Sequence, residues 1–112
     1  MKTLDSKASA ILTAIRSIFG LSEAELADLF NVQRTSVIGW REHGIPQSRQ
    51  ASVERVHDLA LALQREVISS RIPEIVRTSD AWLDDRTILQ TIRNEGAEAV
   101  YAYLHRLFAY GG

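Results

Sequence analysis

Three histidines and one adjacent pair of aspartates are the side chains here that could serve acid–base or metal chemistry. His43, His57 and His105 lie far apart, without the spacing that places two imidazoles on one face of a helix. Asp84 and Asp85 are neighbours, and adjacent side chains do not naturally converge on one reacting atom. The sequence also lacks cysteine, a glycine-rich phosphate loop and a nucleophile motif. We therefore predict no catalytic residue, no metal site and no cofactor.

A polar segment near the middle of the chain offers a different chemistry, hydrogen bonding to bases and phosphates. Its outward positions are predicted to carry Gln33, Arg34, Thr35, Ser36, Ile38, Gly39 and Arg41. Residues 31–50 contain three arginines against one glutamate, whereas the whole chain is nearly balanced, with 13 basic and 14 acidic residues. The positive charge is therefore local, which favours one face that enters a DNA major groove over a general polycation.

The stretch from Ser22 to Gly44 has the residues needed to position that face on two short helices that cross at a tight turn. Ser22 and Glu25 form a capping-box pattern, which predicts a helix start. Asn31 falls at the turn, where asparagine tolerates a left-handed backbone better than most residues. The apolar positions predicted to pack between the helices are Leu26, Leu29, Phe30, Val32, Val37 and Trp40.

This stretch resembles the helix-turn-helix of Xre-type bacterial regulators. With Glu23 as the first position, the matching residues are Ala27 at the fifth, Val37 at the fifteenth and Trp40 at the eighteenth. Asn31 replaces the glycine that is common at the ninth position, and it can adopt the same backbone conformation. An amphipathic helical pair with no DNA role is the alternative interpretation.

In such a unit, the start of the second helix reads bases, so we expect Arg34 and Thr35 to be the base readers. Phosphate contacts are expected from the remaining polar positions, which are Gln33, Ser36, Arg41, Ser48 and Arg49. For Ser48 and Arg49, which follow Pro46, an ordinary solvated loop is an equally open interpretation. The partner implied is double-stranded operator DNA. A homodimer is expected, because one short helix offers few base contacts and a symmetric pair doubles them.

The rest of the sequence predicts an all-α fold. Helices are expected within residues 1–20, where Gly20 ends the helix, from Ala51 to about Ser69, from Pro73 to Arg77, from Thr87 to Gly96, and from about Ala97 to Tyr110. Residues 78–86 are predicted to form a structured loop. We divide the chain into residues 1–70, an Xre-like helix-turn-helix bundle with a long linking helix, and residues 71–112, a small helical C-terminal domain.

The C-terminal part, from about Ile72 to Gly112, resembles the toxin-binding domain of the MbcA/ParS/Xre antitoxin family. The residues that carry the resemblance are Trp82–Leu83, Asp85–Leu89, Ile92, Gly96, Val100, Leu104 and Leu107–Gly111. Asp85 stands where that family often has glycine, and Ile88 where it often has proline. The resemblance implies the antitoxin of a type II toxin–antitoxin system, which blocks the active-site cleft of a RES-type, NAD-consuming toxin and represses its own operon.

By this resemblance, the residues expected near the toxin are Trp82, Arg86, Arg93, Tyr110, Gly111 and Gly112. Two alternatives stay open at this point: Trp82 could belong to the core, and Arg86 could simply pair with Asp84 or Asp85. The tyrosines Tyr101 and Tyr103, with Tyr110, cannot all share the core face of the last helix, so they could form a partner surface or lie half-buried.

Two further interpretations compete with the antitoxin. One is a dimeric Xre-type repressor with no toxin partner, and the other is an adaptor whose helix-turn-helix no longer contacts DNA. No apolar run approaches the roughly 20 residues of a membrane span, and the N-terminus lacks the apolar segment of a signal peptide. A soluble, cytoplasmic protein is therefore expected.

Overall fold

The computed structural model describes residues 5–111, and side chains as far as Ala109. The described chain consists of helices joined by short connections, which confirms the all-α prediction. The helices are α1 (Ser6–Phe19), α2 (Glu23–Leu29), α3 (Arg34–His43), α4 (Gln47–Glu66), α5 (Ile72–Ile75), α6 (Ile88–Glu95) and α7 (Ala97–Gly111). Short 3-10 turns lie at Ser69–Arg71 and Ala81–Leu83. Within residues 5–111, strand-like pairing is confined to one isolated bridge between Asp80 and Arg86.

Side-chain caps set several helix starts. The Ser22 hydroxyl accepts from the backbone N–H of Glu25 at 3.1 Å, while the Glu25 carboxylate accepts from the backbone N–H of Ser22 at 2.9 Å. Thr87 and Gln90 form a second capping box at the start of α6, with distances of 3.0 and 2.9 Å. Both helix starts were predicted from sequence, the first from the Ser22–Glu25 capping box and the second from Thr87 as a cap, because caps depend on nearby residues. Gly20, with φ of +67°, ends α1 as expected.

The bounds of α4 and α5 differ from the predicted ones. Helix α4 begins at Gln47, so the predicted loop before Ala51 is the first turn of the helix instead. Pro46 is its N-cap, and a proline in this extended conformation precedes a helix without costing it a hydrogen bond. The helix ends at Glu66, before Ser69, because Val67 is extended. Helix α5 covers Ile72–Ile75, one residue earlier at its start than predicted.

One apolar cluster joins the N-terminal and C-terminal parts of the chain. Helix α1 packs against α3 and α4, helix α6 packs against α2, and helix α7 packs against α4 and α6. The cluster therefore includes fully buried residues from both parts, such as Phe19 and Leu26 from the first and Val76 and Val100 from the second. The boundary between residues 70 and 71 stays a prediction, and across it the two parts share their core.

Arg77 holds the connection between α1 and α2. Its guanidinium donates to the carbonyl oxygens of Phe19 (3.1 Å) and Gly20 (2.8 Å) and contacts the Glu25 carboxylate at 3.0 Å. The backbone N–H of Ser22, and then Arg77, lower the pKa of Glu25 below its usual value. The C-terminal part of the chain therefore stabilises the start of the helix-turn-helix unit. Among the described helices, none is long and apolar enough to cross a bilayer.

Candidate nucleic-acid interface and partner surface

The turn between α2 and α3 has the backbone that the sequence predicted. Asn31 is left-handed, with φ of +58°. After the turn, Val37 and Trp40 are buried on the inner side of α3, and the Trp40 ring lies against Phe30 with 6.1 Å between ring centroids. Because these contacts fix the inner side of α3, the opposite side of the helix must face outward.

That outer side presents both predicted base readers, Arg34 and Thr35, and the predicted phosphate contact Gln33 to solvent. Gln33, Arg34 and Thr35 are exposed, and their side chains make no hydrogen bond or ion pair with the described part of the chain. Gln33 is the N-cap residue of α3, and its side chain makes no capping bond. Ser36 is half-buried. Three polar side chains at the start of one helix are therefore available to an external partner.

Arg34 differs from the other arginines of α1, α2 and α3. Arg16 and Arg41 both contact the Glu23 carboxylate, at 3.4 and 2.7 Å. Arg34 has no such partner among the described residues, and its side chain is exposed. An unpaired guanidinium keeps all five of its N–H donors for a base edge or a phosphate.

The prediction that Arg41 faces outward is wrong. Its side chain is only 17% exposed, and its guanidinium donates to the carbonyl of Ser9 (3.4 Å), the hydroxyl of Thr13 (2.7 Å) and Glu23 (2.7 Å). Arg41 follows the buried Trp40 and lies one turn beyond Val37, so its helical phase turns it toward α1 and α2. Arg41 therefore joins three helices within the fold.

The two positions predicted after Pro46 lie in the first turn of α4. Arg49 donates to the backbone carbonyl of Phe30 at 2.8 Å, which satisfies an acceptor at the end of α2. Ser48 is exposed and has no partner among the described residues. Of this pair, Ser48 is the side chain that remains available for a phosphate contact.

Trp82 lies on the surface of the C-terminal part, in contact with α7. It is 45% exposed, which excludes the alternative that it is a plain core residue. Its ring meets the edge of Tyr103 at 6.3 Å between centroids, and the Arg106 guanidinium carbon lies 4.8 Å from the Trp82 centroid. We call Trp82, Tyr103 and Arg106 the tryptophan platform. Cation–π contact and edge-to-face packing hold the exposed indole in one orientation.

Tyr103 is the buried member of the tryptophan platform. It is buried, and its hydroxyl donates to the Asp80 carboxylate at 3.0 Å. Burial, followed by this hydrogen bond, raises the pKa of Tyr103 to about 12. The sequence leaves the burial of Tyr103 open and gives no reason to single out Arg106. The spacing of Tyr103 and Arg106 on one helix was a visible signal, but Trp82 approaches them only through tertiary packing.

Arg86 and Arg93, which were predicted near the toxin, both have partners inside the chain. Arg86 forms an ion pair with Glu95, lies 3.8 Å from Asp84, and donates from Nε to the Leu83 carbonyl. The Nε of Arg93 donates to the Asn31 carboxamide oxygen at 3.1 Å and lies 3.4 Å from Asp28. The Arg86 alternative, a pairing with Asp84, is thus present in part. Arg93 connects α6 with the turn of the helix-turn-helix unit.

The end of the chain is described less completely. Tyr110 and Gly111 belong to α7, but the predictions for their side-chain contacts lie outside the described residues, as does Gly112. Tyr101 is exposed at the surface beside α4, and burial, followed by the charge of Asp58, raises its pKa.

The side chains that could serve metal or acid–base chemistry form no such site among the described residues. Within residues 5–111, no group of three or more His, Cys, Asp or Glu side chains could hold a metal ion. Asp84 and Asp85 are exposed and both have positive φ, of +58° and +61°, so they form a sharp turn after the Ala81–Leu83 segment. Asp84 and Asp85 are therefore turn residues, since aspartate tolerates the left-handed backbone better than most residues.

The described fold therefore defines an all-α protein with a helix-turn-helix unit and an exposed tryptophan platform. Comparison of the chain with protein-family models, with curated proteins and with solved structures finds no match.

Proposed function

We propose that this protein is a DNA-binding regulator whose helix α3 enters the major groove of double-stranded DNA. The observation that carries the proposal is Arg34, an exposed arginine at the start of α3 that, like its neighbours Gln33 and Thr35, has no side-chain partner among residues 5–111. Arginine in this position can bind a guanine edge through two hydrogen bonds. Ser48 supplies a phosphate contact from the first turn of α4, and Arg41 positions α3 from inside the fold.

The second part of the proposal is that the C-terminal segment binds a protein toxin. An exposed tryptophan held by an arginine is a common anchor in protein interfaces, because it buries a large area with little loss of side-chain entropy. The resemblance to the MbcA/ParS/Xre family assigns a RES-type, NAD-consuming toxin as the partner and its active-site cleft as the blocked surface. On this proposal the protein is a cytoplasmic, homodimeric antitoxin that represses its own operon.

The alternative function is a dimeric repressor with no toxin partner, in which the C-terminal segment only completes the fold. The contacts of Arg77 and Arg93 with the helix-turn-helix unit favour a structural contribution from that segment. The two functions share the DNA-binding surface, so they differ only in whether the tryptophan platform contacts a second protein.

Selection of duplexes from a random DNA library by the purified full chain tests the DNA-binding part. We expect enrichment of one motif, with two inverted half-sites if the protein is a dimer. Binding that stays independent of sequence through successive rounds would overturn sequence-specific regulation by α3.

Co-expression of the chain with the product of the adjacent reading frame tests the toxin-binding part. We expect the two proteins to purify together and the growth defect caused by the neighbour alone to disappear. If the neighbour is harmless and does not co-purify, the repressor without a toxin partner is the correct function.

A further inference from the structure

Two residues on the outer side of α3 have no explanation within the fold. Ile38 is 43% exposed, although it lies in the middle of a helix with a well-packed inner side. Gly39 follows it, and a Cβ built on Gly39 would meet no atom within 4 Å. Both residues lie on the side of α3 opposite the buried Val37 and Trp40.

Three other glycines of the described chain occupy backbone conformations that favour glycine, whereas Gly39 does not. Gly20, Gly44 and Gly96 have positive φ values, of +67°, +97° and +92°, at helix ends. Gly39 lies inside a helix, where glycine is the least favourable residue apart from proline. Since no atom of the described chain lies within 4 Å of a Cβ built there, the packing of the described residues does not require glycine at this position.

The residues that share a helix face with Gly39 show which chemical groups α3 presents to an external partner. Thr35, Ile38 and Gly39 are related by three and four positions, so they lie together on one helix face. This face offers a methyl group, a branched alkyl chain and bare backbone, and at its N-terminal end lies Arg34, which has no partner in the described part of the chain. The face therefore combines two apolar groups with the Thr35 hydroxyl, and Arg34 and Glu42 are the charged residues at its two ends.

In the DNA major groove, the apolar group on a base edge is the 5-methyl group of thymine. We propose that Ile38 packs against a thymine 5-methyl group, and that Gly39 lets the backbone of α3 come close to the base edges at that step. The assignment deepens the proposed DNA-binding function and rests on it. It makes Ile38 a specificity-determining residue and adds a thymine to the motif beside the base that Arg34 contacts.

Removal of single methyl groups from DNA tests the Ile38 contact directly. In the duplex selected by the full chain, each thymine is replaced in turn by uracil, which lacks only the 5-methyl group. We expect wild-type affinity to fall about fourfold at one position per half-site, as for one buried methyl-sized group. Ile38→Ala should bind the thymine duplex more weakly and show no difference between thymine and uracil at that position.

Substitutions of Gly39 test whether this residue matters for the approach of α3 to DNA or for the stability of the fold. Gly39→Ala should raise the melting temperature by about 4 °C, because alanine favours helix and the space is open. Gly39→Leu should fold and yet bind the selected duplex about tenfold more weakly, because the added side chain separates α3 from the base edges. Ala102→Leu, at an exposed position of α7, is the matched control and should leave DNA affinity unchanged.

The outcomes separate the inference from the function on which it rests. If no duplex is enriched, both fail, and the apolar face of α3 belongs to a protein contact. If a motif is enriched but no thymine is sensitive to loss of its methyl group, or Ile38→Ala keeps that sensitivity, the Ile38 contact is overturned and DNA binding stands. Wild-type affinity in a folded Gly39→Leu variant would overturn the close approach of the backbone.

Discussion

Asn31 and Arg93, 62 residues apart, bind each other through two hydrogen bonds. The Asn31 carboxamide donates to the Arg93 carbonyl oxygen at 2.9 Å and accepts from the Arg93 Nε at 3.1 Å. Asn31 is also the residue whose left-handed backbone makes the turn between α2 and α3. The turn that orients the proposed recognition helix is therefore attached to the last turn of α6.

We expect this attachment to contribute measurably to stability. Asn31→Gly keeps the positive φ but removes both bonds, so the free energy of unfolding should fall by about 1 kcal/mol. Asn31→Ala should cost roughly 1 kcal/mol more, because alanine is strained in the left-handed region. Urea denaturation of both variants measures the difference.

A double-mutant cycle checks that Arg93 is the partner responsible. When Asn31→Gly and Arg93→Ala are combined, their effects should not add, and the coupling should be about 0.5–1.5 kcal/mol. The cycle reports on the bond from the Arg93 Nε, because the bond to the Arg93 backbone carbonyl survives Arg93→Ala. Additive effects would show that the Arg93 side chain does not connect the turn to α6. Asp28→Ala, which removes only the exposed ion pair with Arg93, should change stability little.

Arg34→Ala should reduce affinity for the selected duplex by roughly 1–3 kcal/mol and relax the preference at one base pair, if the guanidinium binds a guanine edge. Stability should not change, since Arg34 has no partner in the described chain. Fluorescence anisotropy with selected and random duplexes measures both affinities. Arg65→Ala, at an exposed arginine of α4 that likewise has no ion pair among the described residues, is the control. An equal loss on both duplexes would make Arg34 a phosphate contact.

Arg41 should behave as a folding residue. Arg41→Met keeps the aliphatic packing but removes the donors to Ser9, Thr13 and Glu23, so the free energy of unfolding should fall by about 2 kcal/mol. Arg16→Met, which removes the more exposed contact with the same Glu23, should cost less than about 0.5 kcal/mol. Thermal denaturation distinguishes them. A fully stable Arg41→Met variant with weakened DNA binding would restore Arg41 as a phosphate contact.

Trp82→Ala should abolish co-purification with the proposed toxin while the chain stays folded and binds DNA. The reason is that the exposed indole, held by Arg106, supplies the large apolar surface of the tryptophan platform. Ile68→Ala removes an even more exposed apolar side chain outside the platform and should have no effect. Loss of binding in both variants, or in neither, would contradict the assignment of Trp82.

Tyr103 should ionise at an unusually high pH. Its pKa is raised to about 12 from an ordinary value of 10.0 by burial and by the Asp80 carboxylate. The stabilisation is therefore complete below pH 10 and is lost as the pH rises through about 12. Ultraviolet titration of tyrosinate should show a component near pH 12, and Tyr103→Phe should remove it. Persistence of that component in Tyr103→Phe would show that another of the three tyrosines is responsible.

The sequence by itself determined the features that depend on neighbouring residues. The capping box at Ser22, the cap at Thr87 and the left-handed turn at Asn31 are fixed by side chains that reach only a few positions along the chain. The apolar spacing of Val37 and Trp40 likewise predicted which side of α3 is buried. These local and periodic signals were sufficient for the all-α fold and for the exposed start of α3.

Tertiary structure decided how the arginines are used. Arg34, Arg41, Arg49 and Arg93 read alike in the sequence, as long cationic side chains on amphipathic or polar segments. Their partners, such as the Phe30 carbonyl for Arg49 and Asn31 for Arg93, lie 19 and 62 residues away. Whether a guanidinium is consumed inside the fold or left for a ligand depends on which acceptors the packed helices bring within reach. Only the folded chain could therefore single out Arg34 as free and show Arg106 over Trp82.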